Sequence, residues 1–475
     1  MNPGFRAAAS AALLLAASAA CAFRPPGAEP PATPPRFAEG SGAAAAWPDP
    51  GWWRGFGSAE LDRLVADGLA ANTDLAAATA RLAQGDAQVR IAGARLLPTL
   101  EADFGGSRSR TSSAARPVGG GAFLTESYDA SLTAAWEVDL WGGNRAARAA
   151  TRAAARAGRL DRAAVALTVA SGVADTYFQA LSARDRLRIA RANLDNARRV
   201  LALVEARVAN GAASELELAQ QRTQVANQAA TLPALAQQER QTVSALALLL
   251  GRPLEGFAPA ARSLRDVRPV PVLAGLPSDL LARRPDVAAA EARLAAAAAD
   301  VAVARAALYP SLNLTARAGV ESDALRALLS RGNLATVALS VLAPIFEGGR
   351  LRGEVDLSEA RRLELVEEYR GIVLTALADV EDALVAVRGT REREVQLEVA
   401  AAEARRAFAL AEAQFRGGAI GLLELLDTQR TLFSTEDALS GIRLERLSAL
   451  VALYRALGGG WTRGPAGAPP PTPTS

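Results

Sequence analysis

Residues 366–387 read VEEYRGIVLTALADVEDALVAV, and the spacing of their apolar members decides how the chain is built. Val366, Tyr369, Val373, Leu377, Val380, Leu384 and Val387 recur every three or four positions, the pattern of a helix that buries one stripe. Around this window no proline occurs from Ile345 to Gly464, and the one weak point between Gly349 and Leu457 is Gly417-Gly418. The spacing resumes at Leu444, Leu447, Val451 and Tyr454, so the segment predicts helix, tight turn, helix. A helix from Arg350 to Arg416 would be on the order of 100 Å long, several times the width of an ordinary domain.

Upstream the same grammar recurs. Leu61, Leu64, Val65, Leu69, Leu75, Leu82, Val89 and Ile91 mark helix between Ser58 and Leu97, with a break at Asn72 and a stop at Pro98. The period then changes to two. Leu100, Ala102 and Phe104 alternate with Glu101 and Asp103; Tyr128, Ala130, Leu132, Ala134, Trp136, Val138 and Leu140 alternate with Asp129, Ser131, Thr133, Glu137 and Asp139. Gly142-Gly143 opens a second long helical run to Asn210, followed by the turn Asn210-Gly211 and a return helix to Leu250. After the connector 253–277 and a helix to Leu308, strands return: Leu312, Leu314, Ala316 and Ala318 against Asn313, Thr315 and Arg317, then Val337, Leu339 and Val341 against Thr336, Ala338 and Ser340. The chain is one unit written twice, 51–252 and 278–460, at an offset of about 207 residues. Strands are expected near 98–113, 124–141, 310–320 and 333–346.

Composition narrows the chemistry. The 475 residues contain no histidine, one methionine (Met1) and one cysteine (Cys21), so an intrachain disulfide, Cys/His metal sites and Ser-His-Asp or Cys-His catalysis are excluded. An enzyme is not expected, and neither is a cofactor. All basic residues are arginine, and 53 of them against 50 acids leave a net charge of +3 with no basic, aromatic-interleaved patch, so nucleic acid is not the expected partner. Residues 1–20 carry one cation, Arg6, then the short apolar run Ala7 to Ala20 that marks a secretory signal. Ser18-Ala19-Ala20-Cys21 resembles a bacterial lipobox, with serine where leucine is usual, which implies a lipid-modified Cys21. Residues 21–50, rich in Pro, Ala and Gly, read as a linker that cannot pack, and 461–475 as a disordered tail.

Four alternating strands in an exported chain raise a closure problem. In lipid every backbone group must be paired, so strands span only as closed barrels, which need at least about eight of them. Two chains would give a bore filled by side chains; three would give twelve strands and room for water. The polar second face, with Asp129, Glu137, Asp139 and Arg317, favours the wet bore and hence a homotrimer.

These residues resemble the TolC-like outer membrane factors, specifically the lipoprotein branch of OprM and NodT that serves resistance-nodulation-division (RND) efflux pumps. The stretches that carry the resemblance are Trp136-Glu137-Val138-Asp139-Leu140-Trp141-Gly142, Ser278 to Val287 with its Arg283-Arg284-Pro285-Asp286 core, Leu426-Asp427-Thr428-Gln429-Arg430, and Tyr454 to Trp461. The resemblance implies a mainly α fold with membrane β: a trimeric, twelve-stranded barrel in the outer membrane, continuous with a periplasmic α-helical tunnel. Its implied partners are a periplasmic adaptor (membrane fusion protein) and an inner-membrane RND pump, with the chain as a passive duct for small molecules anchored in outer membrane lipid. By the same resemblance Asn210, Gly211, Gly417, Gly418 and Ala419 contact the adaptor, besides capping their helices. Glu424 and Asp427, three apart on one helix face, form a periplasmic constriction ring that favours cations. Glu217 aligns with Glu424 but follows Ser214 at capping-box spacing, a structural role. Phe415 and Ile420 stand where TolC-like relatives carry polar residues of a closed-state lock, so that lock does not carry over. The rival readings are a duct for type I secretion or an ABC exporter, and a structural periplasmic coiled-coil lipoprotein without a pore.

Overall fold

The computed structural model describes residues 32–38, 47–111, 123–268, 277–329 and 333–461. Its elements in chain order are α1 (Ala59–Ala71), α2 (Thr73–Ala94), β1 (Thr99–Thr111), β2 (Phe123–Glu137), α3 (Gly143–Ala209), α4 (Glu215–Leu249), α5 (Pro277–Arg283), α6 (Pro285–Ala306), β3 (Ser311–Ser322), β4 (Asn333–Leu342), α7 (Arg350–Arg416) and α8 (Leu422–Ala456). Each of α3 and α7 has 67 residues and each return helix 35, so the long helical hairpins of the two repeats match in length as well as in order. Among the described residues no helix is long and apolar enough to cross a membrane.

The repeats do not fold as separate bodies. Contacts divide the chain into two units, and both repeats contribute to each: Leu82–Gly158 with Ala290–Tyr369, and Pro31–Arg81 with Arg159–Ala289 and Arg370–Ser475.

The first unit holds the sheet, antiparallel throughout in the order β1-β2-β3-β4, which leaves β1 and β4 as its edges. The register puts Leu100 opposite Ala134 and Phe104 opposite Ala130, Trp136 opposite Leu314, and Leu314 opposite Leu339. From Trp136 to Ala130 and the residues opposite them one face is therefore mainly apolar across all four strands, and it is bare: Phe104 is 84% exposed and Val337 77%. The other face carries Glu101, Asp103, Asp129, Thr133, Asn313, Thr315 and Arg317. On it Arg317 reaches Asp129 at 3.3 Å and donates to Ser131 Oγ at 3.0 Å. Asp129 lies over Gly105, where any side chain would collide with its carboxylate. A sheet with one exposed apolar face and, among the described residues, two unpaired edges is the wall of something larger.

Asp139 departs from expectation. It lies beyond the end of β2 and off the polar face, accepting from the backbone N–H groups of Asn144 and Arg145 at 3.0 and 2.9 Å and pairing with the Arg145 guanidinium. A carboxylate there satisfies N–H groups that the first turn of α3 leaves unpaired, which outcompetes continued strand. At the end of β4, Pro344 cannot donate to a ladder, and the strand stops at Leu342.

The second unit has its core at Trp52, Phe56, Leu61, Tyr177, Phe178, Leu246, Leu450 and Tyr454. Trp52 stacks on Tyr454 with centroids 4.8 Å apart. Asn72 is the expected break: its side-chain oxygen accepts from Asp74 and Leu75, and its amide donates to the Leu249 carbonyl at 3.0 Å. The Arg284 guanidinium is buried, bonded to Asp286 and Asp379 and to the carbonyls of Ala376 and Ala456. Burial pushes the Asp286 carboxyl up, but the hydrogen bonds and charge of Arg284 outweigh it and hold the group below the usual carboxylate range. The most specific stretch of the family resemblance thus ties α5, α6, α7 and the end of α8 together.

One expectation fails here. The linker packs in part: Phe37 is 2% exposed, and the Ala38 N–H donates to Glu381 Oε1 at 2.6 Å. Average composition disfavours packing, but a single phenylalanine supplies a local anchor. The signal segment, Cys21 and the residues after Trp461 lie outside the described residues.

Candidate functional site

The five turn positions sit on two helix ends with one geometry. At the first, Gly211 (φ +69°) donates to the Val208 carbonyl and Ala212 to that of Arg207; at the second, Gly418 (φ +77°) donates to Phe415 and Ala419 to Gln414. Both are Schellman caps with glycine in the left-handed position. Asn210 adds a bond from its side-chain amide to the Ala206 carbonyl at 2.8 Å.

The return helices start differently. Ser214 Oγ accepts from the Glu217 N–H at 3.2 Å, and Glu217 Oε2 accepts from the Ser214 N–H at 2.7 Å, a complete capping box. The second return helix begins at Gly421, which has no side chain to cap with. Glu424, the equivalent of Glu217, is therefore released from capping. It is exposed, as is Asp427, while Leu422 and Leu425 between and before them are buried. The sequence difference between serine and glycine separates a structural acid from an available one.

The two turns are brought together by a residue that sequence reasoning missed. Arg207, in the last turn of α3, donates from Nη1 to the Phe415 carbonyl at 3.2 Å and from Nη2 to the Ala212 carbonyl at 3.4 Å. Its guanidinium also lies 4.7 Å from the centre of the Phe415 ring. Under this bridge a shared cluster of Val200, Val204, Leu218, Phe408, Phe415 and Leu425 draws on all four long helices. The only signal in the sequence was an arginine near a helix C-terminus, where such a side chain serves orphan carbonyls; its meeting with Phe415 of the matching repeat is visible in the structure alone. Farther along, Arg186 grips Asp437 through two nitrogens at 2.7 and 3.1 Å, and Arg443 and Arg446 share Glu394. Polar contacts of this kind fix helix register more than they stabilise.

The family model for "Outer membrane efflux protein" matches residues 64–252 and 276–459. The chain is 43% identical over 429 residues to the pyoverdine export outer membrane protein OpmQ of Pseudomonas putida, covering 88% of this chain and 90% of that protein. It is 33% identical to the toluene efflux pump outer membrane protein TtgI of Pseudomonas putida, covering 85% and 86%. Among solved structures it resembles the outer-membrane channel OprN, with a TM-score of 0.84 at 28% identity over 91% of this chain and 98% of that one.

Proposed function

Because the chain belongs to the outer membrane efflux protein family, and is an efflux channel of the outer membrane with the TolC-like fold, we propose that it is the passive duct of a tripartite RND-type system. The observation that carries this reading is the four-stranded sheet, apolar and exposed on one face, polar on the other and open at both edges. Three copies joined edge to edge close twelve strands around a wet bore and leave no unpaired ladder in lipid. The energy for export comes from the inner-membrane pump, coupled through the adaptor.

In this reading the turns Asn210-Gly211 and Gly417-Gly418-Ala419 form the periplasmic tip and receive the adaptor. Glu424 and Asp427, repeated three times, make the constriction, and a lipid on Cys21 anchors the chain. The likeness to OpmQ supports pyoverdine or a similar small molecule as cargo.

A host strain lacking this chain should retain that cargo in the periplasm and recover export with the wild-type copy. Cysteine at Gly418 should crosslink to the adaptor in cells. In bilayers, Glu424→Ala/Asp427→Ala should raise conductance and weaken cation preference; unchanged traces would remove the constriction from the account.

A further inference from the structure

We propose that Arg108 and Arg110, on the outward face of β1, bind the phosphate groups of phosphorylated glycolipid in the outer leaflet. The inference rests on reading the sheet as a membrane wall. On β2 the outward face runs from Trp136 through Ala134, Leu132 and Ala130 to Tyr128, eight residue steps that span about 27 Å along the strand, or about 20 Å upright once tilted. That matches an apolar band with an aromatic residue at each border.

The two borders differ in chemistry. Near Trp136 the face stays aromatic: the Trp136 and Trp141 indoles donate to the carbonyls of Leu96 and Pro310, and Trp141 stacks on Tyr309 at 4.7 Å. This is the border next to the helices, which places it on the periplasmic side in an outer membrane channel. At the far border Tyr128 lies opposite Gly106, its ring against the space a side chain would fill. Two pairs beyond, the next on the same face, stands Arg108 opposite Glu126, and four pairs beyond stands Arg110 opposite Leu124. Arg108 pairs with Glu126 at 3.2 Å, yet its side chain remains 69% exposed, and Arg110 is exposed as well.

Charged side chains on a lipid-facing strand are costly at mid-depth and tolerated only near the interface, so the arginines mark the headgroup layer beyond Tyr128. Guanidinium groups hold phosphate in two-pronged geometry, which suits them to phosphorylated sugars better than to zwitterionic headgroups. Glu126 orients Arg108 along the rim and leaves donors of its fork facing outward.

The test uses purified full-length protein whose oligomer is verified first by mass, so loss of the barrel is seen separately. It is incubated with lipid A, phosphatidylglycerol or phosphatidylethanolamine, and bound lipid is counted by native mass spectrometry. Lipid A should be retained preferentially, R108S/R110S should weaken its retention about tenfold, and R352S, on α7, should leave it unchanged. If the double variant does not assemble, R108Q and R110Q singly should each weaken retention. Equal retention by wild type and variants overturns the proposal, as does phosphatidylglycerol binding as tightly as lipid A.

Discussion

Arg207 lies 4.7 Å over the ring of Phe415 and donates to the Phe415 carbonyl at 3.2 Å, joining the end of one helical hairpin to the end of its repeat. The same guanidinium reaches Ala212 of its own turn, so a single side chain holds both turns. Arg207→Ala should release them. With the interaction contributing about 1 kcal/mol, the open fraction of a closed tip should rise about fivefold. Single-channel recordings check this: more frequent large-conductance events in Arg207→Ala and Phe415→Ala, and little rescue by Arg207→Lys, whose ammonium does not reproduce the planar stack.

Leu374, Val385, Val399 and Leu410 are each about half exposed on α7, and at 100° per residue they fall within about 20° of one line. An apolar stripe on an otherwise charged helix fits a neighbouring copy. Each side chain should contribute about 1 kcal/mol to assembly. Leu374→Glu/Val385→Glu should yield monomer where the wild type yields trimer, read by light scattering in detergent, whereas Glu392→Gln should assemble normally.

Two glycines predict opposite severities. Gly418 has φ +77° with open space around it, so alanine there meets only backbone strain of about 1 kcal/mol. At Gly460, also at positive φ, an added methyl group would collide with the backbone of Asp49 and Pro50. Gly460→Ala should cost more than about 3 kcal/mol and abolish folded protein, while Gly418→Ala lowers the melting temperature by a few degrees.

Burial raises the Tyr177 phenol from 10.0 to about 12, the Ser58 hydrogen bond opposing and Glu60 adding to the rise. The folded state therefore holds a proton that the unfolded state gives up. The stability this contributes is complete below pH 10 and falls as pH rises toward 12. Thermal melts from pH 9 to 12 should lose stability on this limb, and Tyr177→Phe should flatten it.

Periodicity made the elements legible because each obeys one rule locally: three-and-four spacing for α7, alternation for β2. Asn210-Gly211 and the glycine pair Gly417-Gly418 marked the two Schellman turns, and Ser214 with Glu217 spelled out a capping box. What could not be read depends on contacts between distant residues. Arg207 and Phe415 are 208 positions apart, and nothing local to either says they touch. Asp139 continued the alternation of β2 on paper, yet as a free acceptor beside open helix N–H groups it became a cap. Phe37 was hidden inside a proline-rich stretch whose average composition described its neighbours. The repeats were visible as halves of the sequence, but the contact units cut across them, because each repeat supplies two strands to one sheet and two long helices to one core.

The central claim is that three copies of this chain form a constricted duct. Planar-bilayer conductance of the detergent-extracted protein, with oligomer mass measured on the same sample, tests it most directly. A trimer giving small, cation-selective steps is the expected result; a monomer with no conductance would contradict the barrel and leave the repeats to be explained as a periplasmic scaffold.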